Sequence, residues 1–201
     1  MAVMAVLALL VAGYAAAILF IPGFGPPFLN DVRAARPLAL YSHLGGGILA
    51  LALGPWQFSN RLRQRALRVH RWTGRGYVLA VLFGGVGGVA LARHSLYGMV
   101  THVGFGLLGV SWLFTTLAAY VSIRARNRVA HRRWMIRSFA LTLAAVTLRI
   151  YLPLSAVAGI PFPDAYQAIS WLCWVPNLIV AEWAFVRPSG DRRSGDLASA
   201  I

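Results

Sequence analysis

The sequence predicts an all-α integral membrane protein, a six-helix bundle whose central four-helix core is built from an internal two-helix repeat. Three observations carry this expectation. Hydrophobic residues make up 59% of the 201-residue chain and charged residues only 12%, against nearly half and about a quarter in soluble domains. The apolar residues fall in blocks of about 20, the length at which a helix crosses the hydrocarbon core. Basic residues alternate from one connection to the next, dense and then sparse, as they do beside membranes.

Six apolar blocks are expected as spans, at roughly 2–21, 38–58, 74–92, 97–121, 135–152 and 168–186. The first has no basic residue ahead of its apolar run and is longer than a secretory signal core, so it reads as an uncleaved span. The connection that follows, "IPGFGPPFLNDVRAARP", is dense in Pro and Gly. It excludes a continuous helix and is expected to fold against the outer face. Residues 1–187 then form one transmembrane domain, and the Gly-, Ser- and Asp-containing tail at 188–201 is expected to be flexible and cytoplasmic.

The net charge of +14 comes from nineteen arginines. Fifteen of them (Arg61, Arg63, Arg65, Arg68, Arg71 and Arg75; Arg124, Arg126, Arg128, Arg132, Arg133 and Arg137; Arg187, Arg192 and Arg193) follow spans two, four and six. Only Arg33, Arg36, Arg93 and Arg149 lie in or beside the other connections. The asymmetry puts both termini in the cytoplasm. It also argues for anionic membrane lipids, not a nucleic acid, as the partner of the basic residues. Cys173 is a lone cysteine inside span six, which excludes an intrachain disulfide and suits a small packing residue.

The internal repeat organises the histidines. "SHLGGGILALALGPW" from Ser42 resembles "THVGFGLLGVSWLF" from Thr101, which aligns His43 with His102, Gly45 with Gly104 and Gly47 with Gly106. The next histidines, His70 in "HRWTGR" and His131 in "HRRWMIR", then fall almost in register. A repeat unit of two helices keeps its orientation, so the copies are related by an axis along the membrane normal. His43 and His102 are therefore expected at one depth near the outer face, and His70 and His131 near the inner face. At 1.5 Å per residue the two levels are about 27 Å apart. His94, in a short loop without a counterpart, is expected at the surface.

Histidines facing each other across a helix bundle are a means of holding haem iron. On this reading His43 and His102 bind an outer haem b, and His70 and His131 a possible inner one. The glycines after each outer histidine, with "GGVGG" at Gly84 to Gly88, offer flat space for a porphyrin edge, although small residues equally serve close helix packing. Arg71, Arg75, Arg132 and Arg137 are placed to meet propionates. Arg149, near the outer end of span five, is a candidate for an anionic group: a propionate, a substrate or a lipid phosphate. Glu182, in span six, suits a salt bridge to a loop arginine, or with Asn177 a proton or polar ligand. Zinc is disfavoured, because each level offers two histidines where a site needs three or four ligands.

At "YSHLGGGILALALGPWQF", "LRVHRWTGRGYVLAV" and "HRRWMIRSFALTLAAVTLRIY" the chain resembles the bacterial predicted membrane proteins grouped as domain of unknown function 2306, over about residues 40 to 187. The resemblance implies a multi-pass protein of the bacterial inner membrane and carries no activity with it. In arrangement the chain is also similar to the ascorbate-reducible dihaem b-type cytochromes, which pair histidines of the second and fourth, and third and fifth, of six spans. The leading expectation is transmembrane electron transfer with a quinone or another redox partner. The alternatives are a haem-free binding or transport protein for a small anionic or lipid-like ligand, and an accessory membrane subunit.

Overall fold

A computed structural model describes residues 2–186, and they are helical with no strand. Six helices are long and apolar enough to cross a membrane: Ala2–Phe20, Pro37–Gln57, Leu67–Ala92, Met99–Arg124, Arg128–Val157 and Phe162–Val186. In chain order the elements are α1 (Ala2–Phe20), α2 (Phe28–Ala35), α3 (Pro37–Gln57), α4 (Asn60–Arg65), α5 (Leu67–Ala92), α6 (Met99–Arg124), α7 (Arg128–Thr142), α8 (Ala144–Val157), α9 (Phe162–Leu172) and α10 (Val175–Ala181). A π-helical turn, Glu182–Val186, follows α10. The expected 188–201 tail lies outside the described residues.

Two helices extend beyond their apolar blocks at the arginine-rich end. α5 starts at Leu67 and α6 ends at Arg124, so each runs for 26 residues, about 39 Å at 1.5 Å per residue. That exceeds the roughly 30 Å hydrocarbon core. The surplus is arginine-rich helix in the headgroup layer, where long cationic side chains keep their charges in water. Side-chain caps begin α4 and α7 at this end: the Ser59 hydroxyl accepts from the Leu62 amide at 3.3 Å, and Asn127 Oδ1 accepts from the Ala130 amide at 2.9 Å.

The core is two hairpins, α3–α5 and α6–α7, joined where α5 packs on α6 and α7 returns to α3. Outside it, α1 lies on α3 and touches α8, while α9 packs on α6 and α8. The α3–α5 contact is the most extensive, and glycine makes it possible. A side chain on Gly46 would collide with the Ala80 carbonyl oxygen and the Gly84 backbone, and one on Gly87 would meet the Ala39 carbonyl at 2.6 Å. Small residues at such crossings let two backbones approach in a medium that supplies no hydrophobic drive between helices.

Polarity is arranged as lipid requires. Large apolar residues face outward, among them Phe83, Phe114 and Leu117, all about 60% exposed, while Thr101, Thr115, Thr116, Ser138, Thr142 and Ser170 are buried. Four of the buried hydroxyls meet at one point. The Tyr77 hydroxyl of α5 lies 2.9 Å from Ser138 Oγ and 2.8 Å from Thr142 Oγ1, both on α7. From α6, the Trp112 indole N–H donates to Thr142 Oγ1 at 2.9 Å, and Thr116 Oγ1 lies 2.6 Å from Ser138 Oγ. With no water to compete, each group must find a protein partner, and here α5, α6 and α7 supply one another.

The last two spans are discontinuous. α7 gives way to α8 at Leu143, and α9 to α10 at Cys173 and Trp174. Asn177 of α10 bridges the breaks, donating from Nδ2 to the Ala140 carbonyl at 3.3 Å and to Thr147 Oγ1 at 3.0 Å. Backbone freed by a helix break is thereby partly satisfied from a neighbouring helix.

The α3–α5 crossing makes a testable distinction between adjacent glycines. Gly46→Ala is expected to destabilise the protein by about 1–3 kcal/mol, because its Cβ meets backbone that cannot rotate away. Gly45→Ala, with nothing within 4 Å of the added atom, should change stability little. Equal losses in thermal unfolding of the two variants in detergent would contradict this packing.

Candidate functional site

The arginine-poor end brings together residues of three helices. On α3, Ser42 Oγ donates to the Phe83 carbonyl at 2.6 Å and His43 Nδ1 lies 2.9 Å from the Gly84 carbonyl. A carbonyl only accepts, so Nδ1 carries the proton and Nε2 remains free to accept or to ligate. The imidazole rests against Gly88 of α5, where an added Cβ would stand 2.9 Å from Nδ1. The cation whose field reaches His43 is Arg149 of α8.

Arg149 is the unbalanced charge of the membrane interior. Its Nη1 donates to the Ala145 carbonyl at 3.0 Å, its guanidinium lies 5.3 Å from the Tyr14 ring centroid of α1, and its Nε is buried without a hydrogen-bond partner. Among the described residues the one carboxylate paired with an arginine is Glu182, and its arginine is Arg137. Tyr14 lies six residues before the end of α1 and His43 six residues after the start of α3, each about 9 Å along the helix axis. Arg149 lies eight residues before the end of α8, about 12 Å. The three side chains therefore share a depth.

His102, the repeat partner of His43, is engaged elsewhere. Its Nε2 donates to the Ser95 carbonyl at 3.0 Å, and Thr101 Oγ1 donates to the Leu96 and Gly98 carbonyls, at 2.5 and 2.8 Å, so both tie down the α5–α6 connection. α5 stands between α3 and α6, which have no extensive contact of their own. His94 is exposed in the same connection.

At the arginine-rich end, His70 and His131 lie within electrostatic reach of each other, with Arg63 and Arg71 alongside His70. His131 donates from Nδ1 to the Ala119 carbonyl at 2.8 Å, while His70 Nδ1 is buried with no partner. Nearby, Arg137 forms a two-pronged pair with Glu182, Nε to Oε2 and Nη2 to Oε1 both at 2.9 Å, and lies 4.5 Å from the centroid of the Trp134 ring. Asn177, grouped with Glu182 in the sequence, bonds to the Ala140 carbonyl and Thr147. It is the bridge between the helix breaks described above.

These positions test the residues against haem. Nδ1 held by a carbonyl with Nε2 left free is the usual state of a metal-bound imidazole, and His43 and His131 both have it. Gly45 and Gly47 face open space, while most of the other glycines are covered in this packing. Gly84, Gly87 and Gly88 are covered by α3, Gly85 by Leu113, Gly109 by Val89, and Gly104 by Ser170 and Trp171. No group of three or more His, Cys, Asp or Glu side chains able to hold a metal ion occurs among the described residues.

Sequence reasoning missed the hydroxyl cluster, the two helix breaks and the part of Tyr14. Ser138 and Thr142, four apart, were the available signal for the first, since that spacing puts both on one face of a helix. A tyrosine in the interior of the apolar first span was the signal for the last.

The family described as Predicted membrane protein (DUF2306) matches residues 40–185. No curated protein and no solved structure matches the chain.

The Arg137–Glu182 pair makes the first prediction at these sites. In a double-mutant cycle with Arg137→Gln and Glu182→Gln, the coupling is expected to be about 1–2 kcal/mol, between an exposed ion pair and a buried one. Strictly additive losses of stability would contradict a paired role.

Proposed function

The chain belongs to this family of predicted membrane proteins, and from that premise we propose that it binds a small anionic or lipid-like ligand, without haem, at Arg149. The observation that carries this reading is the guanidinium itself. It sits inside a span, one nitrogen bonded to a carbonyl of its own helix and Nε without a partner, and no acidic side chain of the described residues pairs with it. A cation in hydrocarbon is costly unless neutralised, and an anionic ligand supplies the missing charge. His43 adds a free Nε2 beside it, and Tyr14 an aromatic face.

The ligand belongs between α1, α3 and α8, whose contacts beneath it are made by Ala8, Ala12, Leu51 and Val146. A carboxylate or phosphate fits the guanidinium. The arginine-rich end is assigned to the cytoplasm by the positive-inside rule, which puts this site in the outer half of a bacterial inner membrane.

A second reading, haem b with a quinone or redox partner, is favoured by the carbonyl-anchored imidazoles of His43 and His131. A b-type reduced-minus-oxidised spectrum lost in His43→Ala would support it, and a colourless protein from haem-replete cells would exclude it.

The preferred reading predicts that decanoate raises the melting temperature of the detergent-purified protein more than uncharged decanol does. Arg149→Gln is expected to weaken decanoate binding about ten-fold or more, the effect of losing one charge-assisted hydrogen bond. Arg149→Lys should retain part of it. Equal decanoate shifts in the wild type and Arg149→Gln would overturn the assignment.

A further inference from the structure

At the other end of the molecule, the start of α7 holds a groove of about 420 Å³ lined by Asn127, Val129, Ala130, Arg133, Trp134 and Arg137. We propose that it is a second binding site, for the phosphate ester of an anionic amphiphile, distinct from Arg149 and independent of that reading. Its lining divides by chemistry. Val129, Ala130 and the Trp134 indole make an apolar wall, and Arg133, Arg137 and Asn127 line the rest.

The donors are set for an acceptor that the protein does not itself provide. Arg133 Nε is buried with no hydrogen-bond partner. Arg137 is fixed by Glu182 through Nε and Nη2 and lies over the Trp134 ring, which leaves Nη1 as its donor. Asn127 Oδ1 is occupied by the Ala130 amide, so its amide nitrogen is the donor that remains. A guanidinium whose orientation is already fixed loses little freedom on meeting a phosphate, and its fork matches two phosphate oxygens.

Depth and charge select the ligand. The groove lies between the turn at Arg126, where the backbone takes φ 59°, and the buried hydroxyl Ser138. That is the level of headgroups and glycerol, not of acyl chains. Clusters of arginine at such a level attract acidic lipid headgroups. Glu182 neutralises Arg137 but does not reach Arg133, so the groove keeps an uncompensated cation. A net-anionic phosphodiester meets this better than a zwitterionic one, whose ammonium adds a charge of the wrong sign.

Native mass spectrometry of the full chain tests this, after exchange into detergent with equal amounts of phosphatidylglycerol and phosphatidylcholine. The wild type should retain phosphatidylglycerol preferentially. Arg133→Gln is expected to reduce that excess about five-fold, the effect of removing one arginine near the membrane surface. Arg128→Gln, an exposed arginine of the same helix outside the groove, should leave it unchanged. Displacement of the lipid by millimolar inorganic phosphate would identify free phosphate as an equal ligand of the site. Resistance to it would make the lipid ester the ligand. Retention by Arg133→Gln at the wild-type level, or equal losses in Arg133→Gln and Arg128→Gln, would overturn the proposal, because diffuse surface charge would then account for the binding. Matching melting temperatures of the two variants exclude misfolding as the cause.

Discussion

The Tyr77 hydroxyl is the contact on which the bundle depends. In water, apolar faces drive helices together; in lipid, that drive is absent, and association rests on close packing and interhelical hydrogen bonds. Tyr77 is fully buried and bonds Ser138 and Thr142, to which Thr116 and Trp112 also bond. Three spans are thereby fixed at one level. The glycine face of α5 then settles α3 against it, through Gly46, Gly84 and Gly87. Tyr77 and Gly84, seven residues apart, lie on one face of α5, and α5 packs on both α3 and α6, so this one helix positions both hairpins.

Once α5 is fixed, the charges divide into two kinds. Arg137 meets Glu182 across α7 and the turn after α10, and that pair is complete within the protein. Arg149 lies beyond the break at Leu143, on the short helix that turns toward α1, and meets an aromatic ring instead of a carboxylate. The same residue type thus closes a contact at one end of the molecule and leaves one open at the other. A cation without a counter-charge is costly in a medium of low dielectric constant.

Much of the fold was legible because membrane helices announce themselves by length and composition. Six apolar blocks and a repeated pattern of Ser or Thr, His and Gly were enough to expect two hairpins, and α3–α5 and α6–α7 are those hairpins. The site was less legible. Repeat symmetry aligns His43 with His102, but side-chain direction is set by neighbours that the repeat does not copy. His43 faces Gly84 and Gly88, while His102 finds the Ser95 carbonyl, which belongs to a connection unique to its half. Glycine carries a similar ambiguity. A glycine beside a histidine serves a flat ligand or a neighbouring backbone equally well, and only the packed structure distinguishes them. The breaks at Leu143 and Cys173 have no glycine to mark them. Pro176 follows the second, and Asn177 is the polar residue that makes both tolerable.

The account turns on whether Arg149 is an open cation that receives an anion. The most direct measurement is the ¹⁵N resonance of the Arg149 Nε–H in the detergent-solubilised protein, assigned by its loss in Arg149→Lys, during titration with decanoate. A saturable shift of that signal, absent with decanol and absent from the Arg137 resonance, is the predicted result. A resonance that does not move while other signals report decanoate binding would contradict it.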